Sequence, residues 1–269
     1  MKNLIIIISS LFFVLSISAK ELDESHNIES SADAINVLTM NIHCFKDDWE
    51  FRLSHILTKV SELSPDVIAF QEVCENLSTK ESQIDYIKKT LLKNGYPIKT
   101  IEAQFTHPAW DLYNEYIVLI SKKQVLAVDK GFLPKSLLQR GFVGFNISNR
   151  WYINTHLEFR ADNFNYRKMQ IEFITNRFYN QAHLVAGDFN SSPEDIEQNV
   201  FKKKNYNPYF PGPTHVGDDG NSADNIDGFW FSPVFHYDLT SISGAILFKE
   251  KINDKYLSDH FAVITHLEF

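Results

Sequence analysis

Polar side chains able to bind a cation or move a proton stand at the ends of several strand-like runs of this chain. The runs are mainly apolar, and each closes on a carboxylate, an amide or an imidazole. These residue types can hold a hard divalent cation and hydrolyse a phosphate ester. Because they follow buried strands, we expect them to meet at one rim of a sheet. The six motifs span residues 38–41, 69–72, 154–157, 187–190, 226–227 and 258–260.

The motif Gly187-Asp188-Phe189-Asn190 follows a buried apolar run. Gly187 permits a tight turn or the close approach of another backbone. Asp188 and Asn190 are two residues apart, so an extended chain points both side chains in the same direction. One carboxylate and one amide would then face a phosphate or its attacking water. The alternative is a turn leading into a helix cap at residues 191–194, and the two interpretations are compatible.

Asp259 and His260 are adjacent, just before the closing strand. This pairing suits a cation ligand beside a general base, because imidazole has the unperturbed pKa nearest neutrality. Asp227 is placed to hydrogen-bond the ring of His260, which would fix its tautomer and raise its basicity. The alternatives are a capped turn before a strand and an ordinary loop aspartate.

Three further residues carry the chemistry. Glu72 ends a mainly apolar strand, where a carboxylate costs energy unless it is paired or bound to a cation. Asn41 occupies a similar strand end, and a solvated or turn-capping end is the alternative for both. His156 faces away from the apolar side of its strand, and its ring is a donor for a charged phosphoryl oxygen; a half-buried structural histidine is the alternative. We interpret His43 as a polar loop residue and His266 as structural.

The elements that must position these residues alternate between strands and helices. Residues 116–121 and 124–129 are predicted to be neighbouring strands, and residues 205–225 a long loop. No break in composition divides the body, so we predict one domain over residues 34–269, with mixed sheets and helices outside. The pattern predicts further strands at 34–42, 67–73, 183–186, 229–232 and 261–267, helices at 49–63, 78–94, 166–179 and from 193, and a hairpin of 141–147 with 150–157.

Composition limits the classes of function. The chain has 269 residues, is 44% hydrophobic and carries a formal net charge of -8, with a pI near 5.7. A core of ordinary size is expected, and disorder is not. A broad basic face for non-specific nucleic-acid binding is not indicated. A phosphate substrate is still compatible with this charge, because a bound cation supplies local positive charge.

The N-terminal segment is typical of a secretory signal peptide. Residues 1–19 combine a basic start at Lys2, an apolar stretch and small residues at its end. Residues 20–33 are polar and are predicted to form a linker. We therefore expect a secreted or periplasmic protein, with an uncleaved N-terminal anchor as the alternative.

The chain has two cysteines, Cys44 and Cys74, and each lies just beyond a candidate metal ligand. If the two strands are neighbours, the sulfurs come close, and an exported protein meets an oxidising compartment. A disulfide and two buried free thiols are both open at this point.

Six such motifs in this order are hard to explain by chance. The chain resembles the endonuclease/exonuclease/phosphatase superfamily, which includes deoxyribonucleases, apurinic endonucleases, sphingomyelinases and inositol-polyphosphate phosphatases. The most specific pieces are residues 155–157, 187–190 and 258–260, and residues 166–170 are similar to the family's Arg-x-x-Gln helix start. The resemblance implies an α/β (α+β) fold, a four-layer α/β/β/α sandwich with two packed mixed β-sheets.

The resemblance also implies a magnesium-dependent hydrolase of phosphate esters, with Mn²⁺ as an alternative ion. By its motif Glu72 is similar to the family's main metal ligand, helped by Asn41 and Asp259. These three assignments come from the resemblance and not from spacing.

The catalytic roles are carried over in the same way. His260 is similar to the general base, paired with Asp227, and Asp188 is its rival for that role. Asp188 and Asn190 are similar to the groups that orient the attacking water and the phosphate. His156 is similar to the donor to a non-bridging phosphate oxygen.

These observations predict an exported Mg²⁺-dependent phosphodiesterase acting by in-line attack of water. We favour a phospholipid head group or a small molecule as substrate, partly because the aromatic segment 105–113 would suit transient contact with a membrane surface. A secreted nuclease acting on DNA or RNA is the alternative, and a non-catalytic binding module on the same fold is the alternative of another class. No obligate protein partner is inferred, and a monomer is expected.

Overall fold

Two six-stranded β-sheets packed face to face form the body of the protein in a computed structural model. The structure describes residues 34–216 and 223–269, apart from the side chain of Ala161. The predicted signal peptide (1–19) and linker (20–33) lie outside the described residues.

The strands and helices follow one another in chain order from residue 34. The strands are β1 (Ala34–Asn41), β2 (Val67–Asn76), β3 (Thr100–Ala109), β4 (Tyr113–Ser121), β5 (Ala127–Phe132), β6 (Gly141–Ile147), β7 (Arg150–His156), β8 (His183–Asp188), β9 (Asn207–Tyr209), β10 (Asp227–Phe231), β11 (Ser241–Leu247) and β12 (Ala262–Glu268). The helices are α1 (Trp49–Leu63), α2 (Gln83–Lys93), α3 (Phe164–Arg177), α4 (Asn199–Lys203) and α5 (Pro233–Tyr237), with short 3₁₀ turns at Ala161–Asn163 and Ile196–Gln198.

Both sheets are mixed and have the same plan. The first runs β11-β12-β1-β2-β4-β3 and the second β5-β6-β7-β8-β10-β9. Only β1 with β2, and β7 with β8, pair in parallel among the described strands. The two parallel pairs lie in different sheets. Asn41 is the last residue of β1, and His156 and Asp188 are the last residues of β7 and β8. The prediction that Glu72 ends its strand is wrong, because β2 continues to Asn76.

The four-layer arrangement is confirmed. Apolar side chains such as Val37 and Phe145 fill the space between the sheets. Helices α1 and α2 pack on the outside of the first sheet through residues such as Ile56 and Ile87. Helix α3 covers the second sheet, where Ile171 packs against Val185 of β8 and its neighbours. No helix of the described residues has the length and hydropathy needed to cross a membrane.

Several predicted elements are corrected by the structure. The predicted strands 116–121 and 124–129 are not neighbours, because β4 belongs to the first sheet and β5 to the second. Strand β4 pairs instead with β3, which the sequence did not predict. Helix α2 begins later than predicted because Ser82 caps it, accepting from the Asp85 N–H. The helix predicted from 193 is a 3₁₀ turn followed by the short α4.

The β6–β7 hairpin is confirmed. Its turn residues Ser148 and Asn149 both have positive φ, 51° and 63°. This is the turn geometry that matches the right-handed twist of two antiparallel strands. The hairpin aligns β7 so that it ends at His156, beside Asp188 of β8.

Candidate active site

Side chains from both sheets converge at one edge of the sandwich. In the second sheet, His156 is in register with Asp188, and Asp188 is in register with Asp227. The three therefore form a row across neighbouring strands. The close approach of β7 and β8 depends on Gly187, because a Cβ there would lie 2.0 Å from the Thr155 carbonyl oxygen. The predicted role of this glycine in backbone approach is confirmed.

A β-bulge brings Glu72 to the same edge from the first sheet. The register between β2 and β4 shifts after Phe70, and Glu72 takes a positive φ of 51°. Bulges of this kind redirect a side chain, often beside an active site. Asn41 links the two sheets, since its amide nitrogen donates to Glu72 Oε1 at 2.9 Å and to Asp188 Oδ2 at 3.1 Å.

His260 and Asp227 form a buried pair. Nδ1 of His260 lies 2.8 Å from Asp227 Oδ2, and its Nε2 lies 3.7 Å from Asp188 Oδ2. Burial opposes the charged imidazole, but the Asp227 and Asp188 carboxylates outweigh it and raise the pKa of His260 well above its ordinary value. Asp227 thus fixes the ring, and the other nitrogen points at Asp188.

His156 is held in one tautomer by two residues that the sequence did not identify, Glu115 and Arg140. Arg140 Nη1 lies 3.1 Å from His156 Nδ1 and 3.2 Å from Glu115 Oε1. Because a guanidinium can only donate, Nδ1 must accept, and the ring proton is on Nε2. That nitrogen lies 3.5 Å from Asp188 Oδ2. Burial, with Arg140 adding to it, holds the pKa of His156 well below its ordinary value, so the ring is a neutral donor.

These contacts define a buried trio, Glu115, Arg140 and His156. The one sequence signal for it is the position of Glu115 and Arg140 immediately before predicted strands, at 116–121 and 141–147. That position does not indicate that the two charges meet, because the residues are 25 positions apart in sequence. Glu115 is on a strand of the first sheet, and Arg140 directly precedes a strand of the second.

The structure corrects two interpretations of polar residues near the site. His43 is more than a loop residue, because its Nδ1 lies 3.1 Å from Asp259 Oδ1. Asn190 does not continue an extended chain from Asp188, because its φ is 50°. Instead its backbone N–H donates to Asp188 Oδ1 at 2.9 Å, and its amide nitrogen donates to the Leu157 carbonyl. Asn190 therefore fixes the orientation of the Asp188 carboxylate.

Three other histidines differ in their relation to the site. The ring of His215 packs against that of His260, with centroids 4.7 Å apart. His266 lies at the far end of β12, where it contacts Asn36 and Glu268, as a structural residue would. His183 is buried, with its Nε2 2.7 Å from the Tyr206 hydroxyl.

The donor set fits a divalent cation. Within the described part of the chain, two groups of side chains have ligand atoms within 4.8 Å of one another, Asp188 with Asp227 and His260, and His215 with Asp259 and His260. Glu72 is in neither group and is linked to Asp188 through the Asn41 amide. Burial, followed by repulsion from the Glu115 carboxylate, raises the pKa of Glu72 to about 8. A carboxylate so placed is stabilised as an anion when a cation binds beside it. The carboxylates of Glu72, Asp188, Asp227 and Asp259 supply the oxygen ligands that a hard ion prefers.

Asn41 presents its amide nitrogen to the carboxylates. Its amide oxygen accepts from the His43 backbone N–H at 3.0 Å, which fixes the orientation of the group. Direct ligation of a metal by Asn41 stays a prediction. The contacts show that Asn41 holds the carboxylates of Glu72 and Asp188 at hydrogen-bond distance from one amide.

Cys44 and Cys74 form a disulfide, with their Cα atoms 5.2 Å apart. The structure thus decides between the two alternatives that the sequence left open. The bond joins the loop after β1 to β2, two residues beyond Glu72.

Comparison with known proteins agrees with this site. The model of the Endonuclease/Exonuclease/phosphatase family matches residues 38–260. An endonuclease/exonuclease/phosphatase family protein from Leptotrichia buccalis is 20% identical, with a TM-score of 0.74 over 87% of this chain and 100% of that one. The catalytic domain of human Nocturnin is 18% identical, with a TM-score of 0.63 over 88% and 94%. Truncated Caenorhabditis elegans TDP2 is 17% identical, with a TM-score of 0.62 over 88% and 98%. No curated protein matches the chain.

The chain belongs to the endonuclease/exonuclease/phosphatase family, because the family model spans most of its length. It is a metal-dependent phosphoric ester hydrolase, the class that this family defines, and it has a candidate divalent-metal cluster at the expected edge of the sandwich.

Proposed function

We propose that this protein is an exported Mg²⁺-dependent phosphodiesterase that hydrolyses its substrate by in-line attack of water. The observation that supports this most is the placement of three groups around one point. His156 and His260 both direct an Nε2 at Asp188 Oδ2, at 3.5 and 3.7 Å. A water or phosphate oxygen bound there would meet two ring nitrogens and a carboxylate.

Each residue has a distinct task. The neutral His156 donates from Nε2 to a non-bridging phosphate oxygen, where it stabilises the charge that builds up during attack. Asp188, held by Asn190 and Asn41, orients the attacking water. A magnesium ion held by Glu72 with Asp259 would supply positive charge to the phosphate and the leaving oxygen.

The general base is a choice between Asp188 and His260. The Asp227 and Asp188 carboxylates outweigh burial and raise the pKa of His260 well above its ordinary value, which favours the protonated ring, so Asp188 is the better acceptor for the proton of the water. His260 then stabilises the anionic centre and the Asp188 carboxylate. This reverses the assignment expected from the family pattern, in which His260 is the base.

The catalytic assignment is tested with purified variants and an activated phosphodiester. Asp188→Asn and His260→Ala should each lower kcat/KM by about 100-fold or more, with the circular dichroism spectrum unchanged. His266→Ala is the matched control, because that histidine lies at the far end of β12. Near-normal turnover in either site variant would overturn the assignment.

The metal requirement is tested separately. Activity should disappear with a chelator and return with Mg²⁺, and Mn²⁺ should replace it because both ions prefer oxygen ligands. Full activity in chelator would contradict the proposal. A folded protein that binds Mg²⁺ but turns over no phosphodiester would favour the non-catalytic binding module.

The proposed substrate is a phospholipid, through its head group. Exposed apolar side chains lie close to the buried trio in sequence, since Leu112 is three residues before Glu115, Leu137 is three before Arg140 and Phe159 is three after His156. Three residues span at most about 10 Å, so the backbone at these positions is near the trio, and we infer that the exposed side chains line the mouth of the site. Their exposed fractions are 54%, 56% and 38%.

Cations accompany the exposed aromatic rings at this mouth. Trp110, 61% exposed at the β3–β4 hairpin tip, has the Lys46 ammonium 5.6 Å from its ring. Phe159 has the Arg160 guanidinium 5.3 Å away. Aromatic and basic side chains together are typical of surfaces that settle into a lipid interface. The exposed Asp111 beside Trp110 disfavours a polyanion such as nucleic acid.

Vesicles provide the test of the substrate. The protein should co-sediment with vesicles of sphingomyelin and phosphatidylcholine. The double variant Trp110→Ser with Leu112→Ser should lose most of this binding. Leu92→Ser with Tyr237→Ser is the matched control, since both side chains are exposed and lie on α2 and α5, outside the segments that carry the inferred mouth. Hydrolysis of a short soluble phosphodiester should be the same in all three proteins. Cleavage of plasmid DNA or RNA without vesicle binding would instead identify a nuclease.

Export is proposed from residues 1–19 and is supported by the disulfide, which forms in oxidising compartments. Expression of the full chain in a bacterial host should place the mature protein outside the cytoplasm, with a new N-terminus near residue 20. Retention of the intact N-terminus in the cytoplasm would refute export. Gel filtration of the same material tests the expectation of a monomer.

A further inference from the structure

The loop after β1 is fastened to the bulge that carries Glu72. Cys44 in this loop is bonded to Cys74, two residues beyond Glu72. The backbone N–H of Cys44 also donates to the Glu72 carbonyl at 3.0 Å. The same loop therefore holds the peptide of Glu72 directly and is joined covalently to the strand beside it.

The conformation of Glu72 needs such support. A glutamate with a φ of 51° occupies the left-handed region, which is unfavourable for a residue with a Cβ and persists only where the surroundings enforce it. Cys44 and His43, with φ of 44° and 59°, are in the same region on the other side of the bond. Without a fastening, both segments have lower-energy conformations available, and the Glu72 carboxylate would move away from the edge.

Two buried side chains complete the fastening. Gln83, at the start of α2, accepts from the Cys74 N–H at 2.9 Å and donates to the Cys44 carbonyl at 2.8 Å. Arg52 of α1 donates to the carbonyls of Ile42 and Leu257, at 3.1 and 2.6 Å. Leu257 lies two residues before Asp259, so the fastening extends to the second candidate ligand.

We propose that the Cys44–Cys74 disulfide positions Glu72 for metal binding, and that its loss lowers the affinity for the divalent cation while the fold persists. This inference rests on the proposed role of Glu72 as a metal ligand. The physical reason is that the bond restricts the backbone on either side of one ligand. Groups that orient a ligand in this way typically contribute 10- to 100-fold in metal affinity.

The experiment compares Mg²⁺ binding to the wild-type protein and to the double variant Cys44→Ala with Cys74→Ala, by calorimetry. It is done without substrate, at a temperature where both proteins are folded. The variant should bind about 10-fold more weakly or worse. The activity of the variant should be restored by raised Mg²⁺, because the cation site is weakened and not removed.

A matched control separates positioning from stability. Ile171→Val removes one buried methylene under α3, in the outer layer of the other sheet, and should cost stability but leave the Mg²⁺ dissociation constant unchanged. A disulfide that only stabilised the fold would behave like this control. Equal Mg²⁺ affinity in the folded double variant and the wild type would therefore overturn the proposal.

Two further outcomes are decisive. If the wild-type protein binds no divalent cation, the proposed metal role of Glu72 fails and this inference fails with it. If the double variant does not fold, graded reduction of the wild-type protein by dithiothreitol replaces it, with tryptophan fluorescence reporting the fold. Mg²⁺ affinity should fall as the disulfide opens, before the fluorescence changes. Affinity that persists until the fold is lost would refute the positioning role.

Discussion

Replacing Asn154 by leucine should destabilise the protein strongly and lower its activity without touching the candidate site. Asn154 lies on β7, two residues before His156, with its side chain fully buried between the sheets. Its amide nitrogen donates to the carbonyls of Phe70 and Val118, at 2.9 and 2.8 Å. Its amide oxygen accepts from Gln71 Nε2 at 2.7 Å.

These bonds fix the two sheets relative to each other at the bulge. Phe70 and Val118 are the last paired residues before the register between β2 and β4 shifts. Asn154 thus connects the strand that ends at His156 with the point where the chain turns to present Glu72. Leucine has the same branched shape and the same number of side-chain heavy atoms as asparagine, so the substitution removes the hydrogen bonds without leaving a cavity.

The magnitude follows from what is left unpaired. The carbonyls of Phe70 and Val118 lose a donor, and each group left unpaired costs about 1–3 kcal/mol. The Gln71 amide nitrogen still has acceptors in Thr39 and Ala69. The burial of the added apolar surface offsets about 1–2 kcal/mol of that total. We therefore expect a loss of about 3 kcal/mol in the free energy of unfolding, together with a lower kcat/KM for the folded enzyme.

Urea unfolding and steady-state kinetics test this prediction. The control is Ile153→Val, the adjacent residue on the opposite face of β7, where one lost methylene costs about 1 kcal/mol and leaves kcat/KM unchanged. Wild-type stability for Asn154→Leu, within about 0.5 kcal/mol, would refute the idea that this amide links the sheets. A destabilised variant with normal kcat/KM would show that the link does not position the site.

Arg140→Met should lower kcat by about 100-fold, measured at saturating substrate, because His156 loses the donor that fixes its tautomer. Arg140→Lys should not restore kcat, because lysine does not replace arginine at such a site. Glu115→Gln removes a carboxylate that repels Glu72, so the pKa of Glu72 should fall and its anionic form should persist to lower pH. When Mg²⁺ binding is measured against pH, its loss on acidification should therefore shift to lower pH. Burial lowers the pKa of His183 from 6.5 to about 4, so the unfolded chain binds more protons between these values and stability falls as pH drops through that window. The loss is about 3 kcal/mol, and unfolding curves of His183→Gln should show a flatter dependence on pH.

The sequence predicted the ends of the central strands well for a physical reason. Buried strands such as β2 and β8 are continuous apolar runs, and a polar residue that closes one is conspicuous. This identified Asp188 at the end of β8, and Glu72 where a bulge interrupts the apolar run of β2. The pairing of Asp227 with His260 was likewise foreseeable, since both lie beside late strands.

The missed strands are at sheet edges. β3 and β11 are the two outer strands of the first sheet, and their residues are largely half-buried or exposed. Such strands lack the apolar run or the strict alternation that marks central ones, so sequence patterns do not distinguish them from loops. The error over β4 and β5 has the same origin, because the unrecognised β3 takes the place beside β4.

The missed site residues depend on contacts between sheets. Glu115, Arg140 and His43 are polar residues near turns, and in sequence each is indistinguishable from a solvated one. Their roles arise only when the sandwich closes, which places Arg140 against His156 and His43 against Asp259. Local sequence patterns do not predict such pairings, because the residues around one member of a pair do not indicate which distant residue it will contact.

The division of the site between two sheets gives a reason for its buried polar links. The first sheet contributes Glu72, and the second contributes His156 and Asp188, so the chemistry depends on the offset between two layers packed mainly through apolar side chains. Apolar packing is not directional and tolerates small sliding movements. Hydrogen bonds from Asn41 to Asp188, and from Asn154 to the first sheet, are directional and fix that offset. An apolar residue could fill the same space as a buried amide but would not fix the offset between the sheets. The amide is therefore useful here, since a shift of about 1 Å between catalytic groups is enough to cost about 100-fold in rate.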